Sequence, residues 1–171
     1  MVGRATLAAL LLAAVPTLAD ENPVPDTLQQ FGVLGTWAID CAQAASPEDE
    51  YSVYSISPSG EATLTYKRGE PYRDIVYAIR SADLVAQDRL ALQVLHMPER
   101  LPVDLVLRKD GDSVQVWTSN TADGRMLVID GVITGNGKGS PRFKRCGKPP
   151  QLKTSANTQR TPPTSNAAHH M

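Results

Sequence analysis

The stretch FGVLGTWAIDC, residues 31–41, places Trp37 between Gly35 and the first of the chain's two cysteines. From Val33 onward its apolar residues recur with a period of two, which is the period of a half-buried strand. One face of the predicted strand carries Val33, Gly35, Trp37, Ile39 and Cys41, and the other carries Thr36, Ala38 and Asp40. The stretch therefore predicts a first strand, with Trp37 in the core, around which the rest of the chain is organised.

Residues 1–19 have the pattern of a secretory signal peptide. Arg4 supplies a positive charge, residues 5–15 are apolar apart from one threonine, and TLA at 17–19 offers a small-x-small cleavage site. A retained membrane anchor is the alternative, but the apolar run is shorter than the roughly 20 residues that a bilayer core requires. We therefore expect a mature chain that begins near Asp20, is periplasmic or secreted, and has no transmembrane segment.

The charge of the mature chain is close to neutral. Loss of Arg4 with the signal reduces the 17 basic residues to 16, against 18 acidic ones, so the formal charge is −2. Such a balance offers no electrostatic surface for nucleic acid or for an anionic membrane. We expect partners to be recognised by shape and local chemistry instead.

Two cysteines in an oxidising compartment have one possible pairing, Cys41 with Cys146. The bond would tie the first predicted strand to the last. Closing a loop of about 100 residues stabilises a fold by roughly 4 to 5 kcal/mol, if the loss of unfolded-chain entropy dominates. Metal binding by this isolated pair is the weaker interpretation, and we predict a disulfide.

The remainder of residues 33–147 predicts an all-β domain of about eight or nine short strands. Alternating segments follow one another at intervals of roughly ten residues and are separated by turn residues, including two Asp-Gly pairs, 110–111 and 123–124. This spacing is typical of an antiparallel sandwich or barrel, and sequential hairpins favour a single up-and-down β-barrel. The predicted strands lie at 33–41, 51–56, 61–67, 74–80, 89–95, 103–108, 113–119, 126–129 and 142–146.

The segments that flank the domain differ from it in composition. Residues 20–32 form a polar lead-in, in which Asp26 is expected to cap a single helical turn at 27–30 that Gly32 ends. Residues 148–171 are rich in Pro, Thr, Ser, Asn and Gln, and contain scarcely any large apolar side chain. Such a composition cannot offset the entropy of ordering, so we expect a disordered tail.

The sequence Gly35-Thr36-Trp37 after a short helical turn resembles the Gly-x-Trp element of lipocalins and the wider calycin group. The resemblance implies that Trp37 closes the floor of the barrel and that an arginine from a late strand packs across its ring. Arg145, beside Cys146, is the residue expected in that role. GTWAIDC at 35–41 and SPRFKRC at 140–146 also resemble a group of small exported alphaproteobacterial proteins of unassigned activity.

Residues that carry recognisable chemistry are few. The strand aromatics Tyr54, Tyr66, Tyr77 and Trp117 are candidates to line a ligand pocket, because an aromatic body with a polar tip suits amphipathic ligands. Of these, Tyr54, Tyr77 and Trp117 are proposed as the binding residues. His96 is expected in a surface loop, and no second His or Cys lies at metal-ligand spacing from it. No nucleophile motif accompanies it either. We therefore assign no catalytic residue, no metal and no cofactor.

These observations favour a non-catalytic binding barrel over an enzyme. The expected ligand is a small apolar or amphipathic molecule held inside the barrel. The alternative is an interaction protein or enzyme inhibitor that contacts an envelope protein through an exposed segment, either 20–30 or 42–50. A cavity lined by the named aromatic residues would favour the first function, and a lumen filled by Leu64, Ile79, Leu92 and Leu105 would favour the second.

Overall fold

The computed structural model describes residues 23–97 and 99–147, and within them the chain forms one helix and ten strands. The predicted signal peptide and the predicted disordered tail lie outside these residues. No helix in the described ranges is long and apolar enough to cross a membrane. The elements are α1 Pro23–Phe31, β1 Gly35–Ala38, β2 Tyr51–Ile56, β3 Ala62–Lys67, β4 Ile75–Ala86, β5 Arg89–Met97, β6 Leu101–Asp110, β7 Ser113–Thr121, β8 Met126–Ile129, β9 Val132–Ile133 and β10 Phe143–Cys146.

Eight of the strands close into an antiparallel barrel, which confirms the predicted fold class. Strands β1 to β7 pair in chain order, and β10 then pairs with both β7 and β1. Phe143 lies opposite Val114 of β7, while Cys146 lies opposite Thr36 of β1. Strands β8 and β9 form a hairpin that pairs with the C-terminal half of β7. In the chain, this hairpin lies between β7 and β10, which are the seventh and eighth strands of the barrel.

Helix α1 is longer than the single turn expected at 27–30. Pro23 and Pro25 lie in its first turn, where the backbone N–H groups have no intrahelical acceptor and proline costs little. Asp26 therefore lies in the first turn and is not the cap. Gly32 ends the helix as predicted: its φ is +74°, its N–H donates to the Gln29 carbonyl, and the Val33 N–H donates to the Leu28 carbonyl, as in a Schellman motif.

The helix closes one end of the barrel. Its buried residues Val24, Leu28 and Phe31 join the same core as Trp37, and the Lys109 ammonium group donates a 3.2 Å hydrogen bond to the Phe31 carbonyl from β6. The Trp37 indole N–H donates to the Val33 carbonyl at 2.6 Å, which satisfies its one polar group inside the core. The opposite end, formed by the connections after β1, β3, β5 and β7, is called the open end below.

The predicted disulfide between Cys41 and Cys146 is present and spans a sequence separation of 105. Strand β1 ends at Ala38, earlier than expected, so Cys41 lies in the following loop. The expectation that Ile39 shares the buried face of Trp37 is wrong, because the strand alternation stops before it and the side chain is 42% exposed. Ala38, Tyr51 and Cys146 instead form a small separate apolar cluster beside the disulfide.

Candidate functional site

The interior of the barrel contains a pocket of about 230 Å³ that is partly open to solvent. It lies among the inward faces of β3 to β7, with β8 completing its wall. Its lining is mainly aliphatic and aromatic and consists of Leu64, Tyr66, Tyr77, Val94, Val103, Leu105, Val116, Ser119, Leu127 and Val128. An apolar hollow with few polar groups is the usual form of a small-molecule site.

The part of the barrel interior that lies between the pocket and α1 is filled by side chains. Leu64, Ile79, Leu92 and Leu105 are all buried, with at most 7% of their surface exposed, as expected for a packed lumen. Leu64 and Leu105 also line the pocket. The barrel therefore combines the two arrangements that the sequence left open: a solid core toward α1 and a small hollow above it.

The rings of Tyr66, Tyr77 and His96 lie next to one another near the open end of the barrel. The Tyr66 and Tyr77 ring centroids are 5.8 Å apart in an edge-to-face arrangement, and Tyr77 lies 5.1 Å from His96. Burial raises the pKa of Tyr66 well above its usual value, and burial followed by the charge of Glu50 raises the pKa of Tyr77. Both phenols are therefore neutral hydrogen-bonding groups at physiological pH.

Two polar side-chain pairs lie at the open end. The Arg68 guanidinium Nε lies 3.0 Å from a Glu50 carboxylate oxygen, and His96 Nδ1 lies 2.9 Å from a Glu99 carboxylate oxygen. The four side chains are 30–53% exposed, so water screens both contacts. Charge is thus confined to the rim, and the pocket beneath carries none on its lining residues.

His96 was expected in a surface loop, and this expectation is wrong. It belongs to β5, where Leu90, Leu92 and Val94 alternate inward before it, and it pairs with Tyr77 of β4. Strand β5 extends to Met97 because Leu101 and Pro102 of β6 continue the ladder beside it. The partner strand decides this boundary, and the local sequence of β5 does not reveal it.

The structure separates the three aromatic residues proposed for the pocket. Tyr77 lines it, whereas Tyr54 packs into the core with 4% of its surface exposed, and burial raises its pKa well above the usual value. Trp117 lies on the outer face, where its ring is covered by the guanidinium groups of Arg89 and Arg108 at 5.3 and 4.6 Å. Placing Trp117 in the pocket was therefore wrong. Tyr66, also a candidate from the sequence, lines the pocket, and so does Ser119, which was not proposed from the sequence.

At the closed end Arg145 lies across Trp37, in the contact that the calycin resemblance implied. The guanidinium carbon is 4.5 Å from the ring centroid, a cation–π distance. The same group donates to the Leu34 carbonyl at 2.7 Å and to the Gly32 carbonyl. One arginine thus joins β10 to the turn between α1 and β1, which makes its role structural.

A second hollow, of about 220 Å³, lies on the outer face of β4 to β7. Its central carboxylate, Asp104, accepts hydrogen bonds from Gln93 at 3.4 Å and from Asn120 at 3.5 Å. These polar side chains hydrogen-bond to one another on the outer surface of the barrel. We therefore take the interior pocket as the candidate site.

Within residues 23–97 and 99–147, no three His, Cys, Asp or Glu side chains are grouped as metal ligands would be. Comparison with family models, with curated proteins and with solved structures finds no match for this chain.

Proposed function

We propose that this chain is an exported, non-catalytic β-barrel that binds a small apolar or amphipathic molecule in the pocket at its open end. The observation that carries the proposal is the apolar hollow of about 230 Å³ above an otherwise packed core. A cavity of about 150 Å³ is enough to hold benzene. The pocket therefore suits a single ring or a short acyl chain.

The division between an apolar interior and a charged rim supports an amphipathic ligand. The buried part of the ligand would contact aliphatic and aromatic walls, and a polar end would reach the Glu50–Arg68 and His96–Glu99 pairs. Export is supported by the disulfide, because such bonds persist mainly in oxidising compartments. The Trp37–Arg145 contact supports the likeness to calycins, whose members this barrel would resemble in function as well.

A second candidate function is an interaction or inhibitor barrel that binds an envelope protein. Of the two segments proposed for that role, the described part of the first, residues 23–30, belongs to α1, whose apolar face is buried in the barrel core. The second, 42–50, begins with three consecutive exposed residues, Ala42, Gln43 and Ala44. Exposure of this loop favours it as the contact surface if the barrel acts on a protein.

Two matched substitutions on β6 test the ligand hypothesis. Val103 lines the pocket, whereas Val106 lies on the outer face of the same strand. Val103→Phe should fill the pocket and weaken binding at least about tenfold, equivalent to about 1.4 kcal/mol, whereas Val106→Phe should leave binding unchanged. Toluene, p-cresol, 1-hexanol and hexanoate serve as probes, and binding is followed by NMR titration of the disulfide-bonded protein. Absence of binding by all four, or equal loss in both variants, would refute the hypothesis.

A further inference from the structure

Three residues that line the pocket carry a hydroxyl group, Tyr66, Tyr77 and Ser119, and none of the three hydroxyl groups has a hydrogen-bond partner within residues 23–97 and 99–147. That of Ser119 lies between two aliphatic neighbours. Ser119 is only 5% exposed, faces Leu105 across the β6–β7 ladder and Val128 across the β7–β8 ladder, and lines the pocket. Among residues 23–97 and 99–147, no side-chain hydrogen bond involves its hydroxyl group. The hydroxyl oxygen is not one of the fully enclosed unpartnered atoms of the described residues, so it is open to the pocket, where a polar atom of a ligand can complete the hydrogen bond.

The surroundings of Ser119 define the charge of that ligand. The neighbouring walls at Leu105 and Val128 are aliphatic, and no charged side chain lines the pocket. A buried ionised group would therefore have no countercharge among the lining residues, which makes its transfer from water strongly unfavourable. A hydroxyl or carbonyl oxygen, in contrast, requires one hydrogen bond, and the Ser119 hydroxyl can act as either donor or acceptor.

We propose that the pocket selects an uncharged one-ring or short-chain molecule that carries a hydroxyl or carbonyl oxygen, and that the Ser119 hydroxyl binds this oxygen. The proposal rests on the proposed function and adds the chemical class of the ligand. It treats Ser119 as a specificity-determining residue, because an aliphatic residue at this position would leave an entirely apolar wall next to Leu105 and Val128.

The experiment compares toluene with p-cresol, which differ by one hydroxyl group. NMR titration gives the dissociation constant of each probe for the disulfide-bonded protein, for Ser119→Ala and for Thr118→Ala, whose side chain lies on the outer face. The ratio of the toluene Kd to the p-cresol Kd should fall at least about tenfold in Ser119→Ala and stay unchanged in Thr118→Ala. Because the ratio is compared between protein variants, the difference in hydration between the two probes cancels, as in a double-mutant cycle.

Two further measurements separate the possible outcomes. In the unsubstituted protein p-cresol should shift the Ser119 amide resonance, and 4-methylbenzoate, which carries a charge, should not bind in the pocket. An unchanged Kd ratio in Ser119→Ala, or pocket binding of 4-methylbenzoate, would overturn this inference. The proposed function would still stand if toluene binding remained sensitive to Val103→Phe. If no neutral probe binds, this inference fails, and if hexanoate does not bind either, the proposed function fails as well.

Discussion

Removal of the disulfide should cost this barrel a large part of its stability. Cys41 and Cys146 are 105 residues apart, and closing a loop of that length stabilises a fold by about 4.7 kcal/mol in the chain-entropy treatment. The strands that it joins, β1 and β10, have only four residues each, and they complete the barrel. The double substitution Cys41→Ala/Cys146→Ala should therefore lower the free energy of unfolding by several kcal/mol, with about 4.7 kcal/mol expected from the loop alone.

The measurement is guanidinium unfolding followed by tryptophan fluorescence and far-UV circular dichroism. The unsubstituted protein with its disulfide reduced serves as the control, because it keeps both sulfur atoms and their packing beside Ala38 and Tyr51. It should lose nearly as much stability as the double variant, and the slope of unfolding against denaturant should increase because the unfolded chain becomes less compact. A loss below about 1 kcal/mol in both proteins would refute the argument that loop closure stabilises the barrel.

Arg145→Lys should lower the free energy of unfolding by about 1 to 2 kcal/mol, because an ammonium group cannot bind both the Gly32 and Leu34 carbonyls while covering Trp37. Arg142→Lys, at an exposed ion pair, is the matched control, and equal losses in denaturant unfolding would contradict the assigned role. Burial raises the pKa values of Tyr54 and Tyr66 in the folded protein. The unfolded chain therefore loses these protons at a lower pH than the folded protein does. The free energy of unfolding should fall above about pH 10, by up to roughly 1.4 kcal/mol per pH unit for each tyrosine. Between about pH 9 and 11 the free energy of unfolding should fall less steeply with pH in Tyr66→Phe than in the unsubstituted protein. Equal slopes in the two proteins would contradict this role of Tyr66.

The closure of the barrel was predictable from the sequence because its signals are local. Alternating apolar residues, Asp-Gly turns and a single pair of cysteines require no knowledge of neighbouring strands. The helix was underestimated because Pro23 and Pro25 look like helix breakers, although the first turn tolerates them. Strand β8 was predicted at 126–129, whereas β9 was not, because it has only two residues and depends on the hairpin turn at Asp130 and Gly131, both of which have positive φ.

The pocket was harder to predict because Ser119 faces it only as the result of a β-bulge in β7. Val114 and Val116 face inward, so strict alternation would point Thr118 into the barrel and Ser119 out of it. In the structure Leu107 pairs with Val116 and Val106 with Thr118, which leaves Trp117 unpaired and reverses the alternation beyond it.

Contacts on the outside of the barrel hold this bulge in place. The Trp117 ring is covered by Arg89 and Arg108, and a Cβ at Gly131, whose φ is +76°, would lie 3.1 Å from the ring and 2.7 Å from the Gln115 side chain, so glycine favours this close approach. The bulge at Trp117 thus turns Ser119, and not Thr118, toward the pocket. The residue that sequence analysis placed inside the barrel therefore acts from outside it, by selecting which hydroxyl group a ligand would meet.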